Sequence, residues 1–71
     1  MKMYIIPKWI SRNIKEYGNS LIPDKVLKYY SEETIIKYYE IMFNCKFTIR
    51  KSVIEKGMKP IVIIERVDYE S

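Results

Sequence analysis

Four consecutive β-branched residues, Ile61, Val62, Ile63 and Ile64, stand near the end of a chain of only 71 residues. Side chains of a strand alternate between its two faces, so such a run cannot present itself to one core. Either the strand is central with both faces covered, or one face waits for a partner. A chain of this length makes one domain and buries only ~60% of its unfolded surface. Its own helices can cover one face, and little is left for the other. The run therefore predicts a partner surface that includes Val62 and Ile64, met by another protein or by a second copy of the chain. Left bare, it would invite aggregation.

The run is the second half of a β-hairpin. Phe47, Ile49 and Val53 alternate with Thr48, Arg50 and Ser52, the pattern of a strand with one wet face. Glu55 to Lys59, around Gly57, forms the turn, and Pro60 stops the pairing there. Upstream the period is helical. From Lys8 to Tyr17, Ile10, Ile14 and Tyr17 share a stripe with Trp9 at its edge. Pro7 suits the first turn of that helix, and Gly18 stands where a left-handed cap is wanted, with Asn19 and Ser20 extending the break. Pro23-Asp24 opens a second stretch whose apolar side is Val26, Leu27 and Tyr30. Ser31 is an N-cap candidate, and Glu32 and Glu33 suit the positive end of a new helix. Ile35, Ile36, Tyr39, Met42 and Phe43 then make a broad apolar face. Residues 24–43 read as one bent helix or as two, with Ser31 arguing for two. Residues 3–6 read as a short strand ended by Pro7. The expected fold is α+β: a short N-terminal strand and two or three helices, followed by a C-terminal antiparallel β-hairpin.

Composition removes most chemistry. Cys45 is the only cysteine and histidine is absent. There is no Ser-His or Cys-His arrangement, no structural zinc set and no disulfide. Gly18 and Gly57 alone do not make a phosphate-cradling loop. Asp68 and Glu70 fall on one side of an extended tail and read as solvated carboxylates, since two monodentate groups make a weak cation site. No cofactor, metal or small-molecule substrate is expected, and the chain is not expected to be an enzyme. No apolar run approaches the ~18 residues of a membrane span. The N-terminal apolar stretch is too short for a signal peptide, so the cytosol is the expected compartment. Ile, Lys, Tyr and Asn supply nearly half of the chain, whereas Ala and Gln are missing. Those four residues have A/T-rich codons. A low-GC genome fits, that of a phage, virus or plasmid in a host-cell cytoplasm or that of a bacterium or archaeon.

The formal charge is +4, and it is unevenly placed. Residues 1–30 and 44–60 are strongly positive, whereas 31–43 and 61–71 are net negative. Arg12 and Lys15 on the first helix, with Arg50, Lys51, Lys56 and Lys59 on the hairpin, are the candidate phosphate contacts. Three helical stretches and a hairpin resemble the order of a winged helix-turn-helix domain. That resemblance makes 24–30 the support helix, 31–43 the recognition helix and 46–67 the wing. Glu32 and Glu33 work against it, because two carboxylates in the first turn of a recognition helix are costly beside a polyanion. Tyr29, Tyr30, Tyr38 and Tyr39 alternate with Lys28 and Lys37. Adjacent helical residues point about 100° apart, so neither pair makes one flat stacking platform. Tyr29 and Tyr38 instead join Val62 and Ile64 as candidate partner contacts. Strand, two helices and antiparallel strands also resemble the order of RelE-type ribonuclease toxins, which would direct attention to Arg50, Lys51, Arg66 and Tyr69. The reading these features favour is a small non-catalytic accessory or regulatory protein that binds another protein. Nucleic-acid binding through helix one and the basic hairpin is the alternative, and a metal-independent ribonuclease is the more distant one.

Overall fold

The computed structural model describes residues 5–53 and 55–67. Helix α1, Lys8–Tyr17, buries Ile10 and Ile14, the i, i+4 pair its spacing predicts. Gly18 ends it at φ 79°, and its N–H donates to the Ile14 carbonyl at 2.8 Å. An L-residue is strained in that region of backbone space, and Gly is not. Strand β1, Asn19–Ile22, follows at once. Helix α2 is short, Asp24–Tyr29, and Tyr30 turns to extended backbone (φ −134°, ψ 137°). That turn separates it from α3, Glu32–Phe43, so residues 24–43 are two helices. Ser31 caps α3, its Oγ accepting from the Thr34 N–H at 3.2 Å. Such a cap contributes about 1 kcal/mol. Asn44, at φ 54°, ends α3 in the left-handed conformation that Asn tolerates.

The hairpin is β2, Lys46–Ser52, and β3, Ile61–Val67. β1 pairs antiparallel with the free side of β3, giving the sheet order β1-β3-β2. The backbone N–H of Arg66 also donates to the Gly18 carbonyl at 2.8 Å, which ties the end of α1 to the sheet.

The β-branched run is thus the central strand, and the pairing register settles which side of it faces inward. Ile64 lies between Ser20 and Ile49, and Val62 between Ile22 and Lys51. This side packs on the helices, burying Val62 to 7% exposure and Ile64 to 0%. The expectation that Val62 and Ile64 meet a partner is corrected here: both belong to the core. The outward side of β3 carries Ile61, Ile63 and Glu65 instead, with Ile63 between Leu21 and Arg50. Val53, expected to extend the first hairpin strand, is exposed and lies beyond β2.

The N-terminal strand is a second correction. Met3 and Tyr4 lie outside the described residues, but Ile5 and Ile6 are not in a strand, and Ile5 is exposed. The place beside β3 is filled by β1. Its burial alternates, with Ser20 and Ile22 inward and Asn19 and Leu21 outward. Ser20 tolerates its buried place because its hydroxyl accepts from Asn13 Nδ2 at 3.4 Å and donates to the Leu21 carbonyl at 3.0 Å.

The core joins Ile10 and Ile14 of α1, Val26 of α2, and Ile35 and Tyr39 of α3 to the sheet residues Ile22, Phe47, Val62 and Ile64. Tyr39 stacks near Phe43 (centroids 6.3 Å apart) and meets Phe47 edge-on at 6.4 Å. Burial, with Tyr38 beside it, pushes the Tyr39 hydroxyl up to about 12. The folded state therefore holds this proton more tightly than the unfolded chain does. Stability from Tyr39 is whole below pH ~10 and is lost as pH rises towards ~12, with a slope of at most ~1.4 kcal/mol per pH unit. Urea unfolding at pH 9 and 11 measures it. The fall between the two should be smaller in Tyr39→Phe than in the native protein, and equal falls would contradict the assignment.

Candidate nucleic-acid interface

Helix α3 is amphipathic. Ile35 and Tyr39 fix it to the core, and Glu40 Oε2 accepts from the Phe47 N–H at 3.1 Å, locking the helix to β2. The opposite side is a ridge of Glu33, Thr34, Lys37, Tyr38 and Ile41, with Ile41 at 83% exposure. Cations lie along one side of this ridge and around the N-terminal end of α3.

On one flank is α1. Lys8, Arg12 and Lys15, at i, i+4 and i+7, share one side of the helix, turned away from Ile10 and Ile14. They line a groove of about 560 Å³ whose other wall is Tyr38 and Met42 of α3. None of the three cations is ion-paired with a described residue. Arg12 and Lys15 were legible as candidates in the sequence. Lys8 was not, although the same i, i+4 spacing marks it.

At the N-terminal end of α3 is a cleft of about 600 Å³ between the α2–α3 turn and the hairpin, lined by Lys28, Lys51 and Lys59 among others. Lys51 Nζ lies 3.0 Å from Glu32, and Lys59 Nζ 4.0 Å from Asp24. Lys37 bridges Glu33 at 3.2 Å one turn along α3. Each carboxylate of the first turn of α3 is therefore already next to an ammonium. Exposed pairs of this kind are worth only about 0–1 kcal/mol, so the lysines can shift to a stronger anion at little cost. Lys56 sits in the turn between β2 and β3, where Gly57 takes φ 92° and the Met58 N–H donates to the Glu55 carbonyl at 3.1 Å.

Of the six expected phosphate contacts, five line this groove or this cleft or lie in the hairpin turn. The exception is Arg50. Its register position opposite Ile63 puts it on the outward side of the sheet, 3.6 Å from Glu65. Of the expected partner contacts, Tyr29 ends α2 and is exposed, while Tyr38 stands in the groove beside α1. Tyr69, Asp68 and Glu70 lie outside the described residues. Among the described residues no helix is long and apolar enough to cross a membrane, and no group of three or more metal-ligating side chains comes together.

Comparison with protein-family models, with curated proteins and with solved structures finds no match for this chain.

Proposed function

We infer that this protein is a small non-catalytic accessory or regulatory module of winged-helix type that binds nucleic acid through its phosphates. The supporting observation is the exposed ridge of α3, with Lys8, Arg12 and Lys15 along one side of it and Lys28, Lys51 and Lys59 around the cleft at the N-terminal end of the helix. A helix set into a groove of a duplex has phosphate chains beside it, and cations along one side of α3 and at its N-terminal end are placed to meet them. The ridge carries one carboxylate, Glu33, and few base-reading side chains, so binding is tolerant of sequence. Lys56→Glu and Lys59→Glu should each flatten the salt dependence of duplex affinity by about one charge while leaving sequence preference unchanged. Titration of a labelled duplex at several salt concentrations measures both slopes, and unaltered slopes in both variants would remove the hairpin from the interface.

A protein partner is the second reading, and the outward face of the sheet favours it. Leu21, at 51% exposure, lies beside Ile63 there, and Trp9, Pro23 and Ile61 border an apolar cleft of about 380 Å³ at its margin. This face lies across the sheet from the helices. Ile63→Asp separates the readings, because it should leave duplex affinity intact and abolish any association that depends on the sheet.

A further inference from the structure

The groove between α1 and α3 differs from the hairpin cleft in a way that bears on what the protein binds. Among the described residues its lining includes Lys8, Arg12 and Lys15 and no carboxylate, whereas the hairpin cleft contains Asp24 and Glu32. Its wall on the α3 side is soft and aromatic: Tyr38 is 47% exposed and Met42 nearly as much. The Tyr38 ring meets that of Tyr39 edge-on, at 4.9 Å and 74°, so the buried Tyr39 fixes its orientation from one side.

Resting on the nucleic-acid reading above, we propose that this groove holds an unpaired nucleotide of the bound nucleic acid, its base on Tyr38 and Met42 and its flanking phosphates on Lys8, Arg12 and Lys15. Three dimensions favour that occupant. From Lys8 to Lys15 the helix rises about 10 Å, enough to follow two or three phosphates of one strand at their ~3.4 Å axial spacing. The groove, at about 560 Å³, is within the ~300–1,000 Å³ range of small-ligand sites. The exposed apolar wall is one helical turn long, the i, i+4 pair Tyr38 and Met42. That accommodates a ring. An amphipathic acidic peptide helix would need anchors continued over two or three turns. Aromatic stacking tolerates any base, in keeping with a ridge that reads little sequence.

The proposal makes duplex with a single-stranded extension the preferred ligand over blunt duplex. The test uses the full chain with three labelled probes: a blunt duplex, the same duplex with a short overhang, and a glutamate-rich peptide. The overhang should tighten binding by about tenfold. Tyr38→Ala should remove that gain, so that the variant binds blunt and overhung duplexes equally, while Tyr38→Phe keeps it. A 2-aminopurine base in the overhang should lose fluorescence on binding the native protein, a readout that needs no variant. Equal affinity for blunt and overhung duplexes, or an unquenched 2-aminopurine, would overturn the groove assignment and leave the phosphate-binding reading standing. Binding of the peptide in place of the overhang would overturn it in favour of an acidic protein segment. Failure of every nucleic-acid probe would remove both readings together.

Discussion

Reversing Arg12 and Lys15 together to glutamate should weaken duplex binding at low salt by roughly a hundredfold. Each cation stands on the α1 flank of the α3 ridge without an ion pair to a described residue. A charge-assisted contact to phosphate is worth about 1.5–3 kcal/mol, so loss of two removes at least ~3 kcal/mol, or about two powers of ten. Both side chains are directed away from the core, and folding should be untouched. The salt slope should fall by about two at the same time. Affinity that stays within a factor of two of the native value, in a variant with an unchanged melting temperature, would remove α1 from the interface.

The second large effect concerns the fold itself. Ile64→Ala should destabilise the domain by about 3 kcal/mol, because a fully buried Ile at the centre of the sheet leaves a cavity that its neighbours cannot close. In a domain of this size each kcal/mol moves Tm by about 4–8 °C, so Tm should fall by at least ~12 °C. Ile63→Ala, one residue away on the outward face, should cost no more than about 1 kcal/mol. Thermal unfolding of the two variants side by side reads the strand's parity directly. Equal losses would mean that both faces of β3 are covered, and a larger loss at Ile63 would mean that the register is shifted by one residue.

That parity was not legible in the sequence, and the reason is physical. A strand that alternates apolar and polar residues announces its buried face, as β2 does with Phe47 inward and Thr48 outward. Ile61 to Ile64 has no alternation, so only pairing with β1 decides which residues turn to the helices. β1 itself was hidden because a serine occupies one of its two inward positions. Ser20 looks like part of a turn until Asn13 is seen to satisfy its hydroxyl. Ile5 and Ile6, the described part of the expected N-terminal strand at residues 3–6, are good strand formers, but both sides of β3 are taken by β1 and β2. Signals local to a few residues fared better: Pro7 and Gly18 bound α1, and Ser31 capping to Thr34 starts α3 where its residue type suggested.

The site was partly legible for the same reason. Its cations are visible as residues, and the i, i+4, i+7 spacing of Lys8, Arg12 and Lys15 defines one flank without a structure. What the sequence hides is that Lys51 comes from the hairpin to stand 3.0 Å from Glu32. Seen alone, Glu32 and Glu33 argue against a helix near phosphate. With Lys51 and Lys37 beside them, that repulsion is largely offset. The separation of Arg50 from the other hairpin cations follows from strand alternation once β2 is known to bury Phe47.

Fluorescence anisotropy of a labelled random-sequence duplex, titrated at low and moderate salt, tests the phosphate-binding function most directly. Lys8, Arg12, Lys15, Lys51, Lys56 and Lys59 give about six phosphate contacts, so affinity should fall at least a hundredfold between ~50 and ~200 mM salt. No binding at ~50 mM salt, or binding that salt leaves unchanged, would mean that these flanking cations serve solubility alone and that the outward face of the sheet is where a partner should be sought.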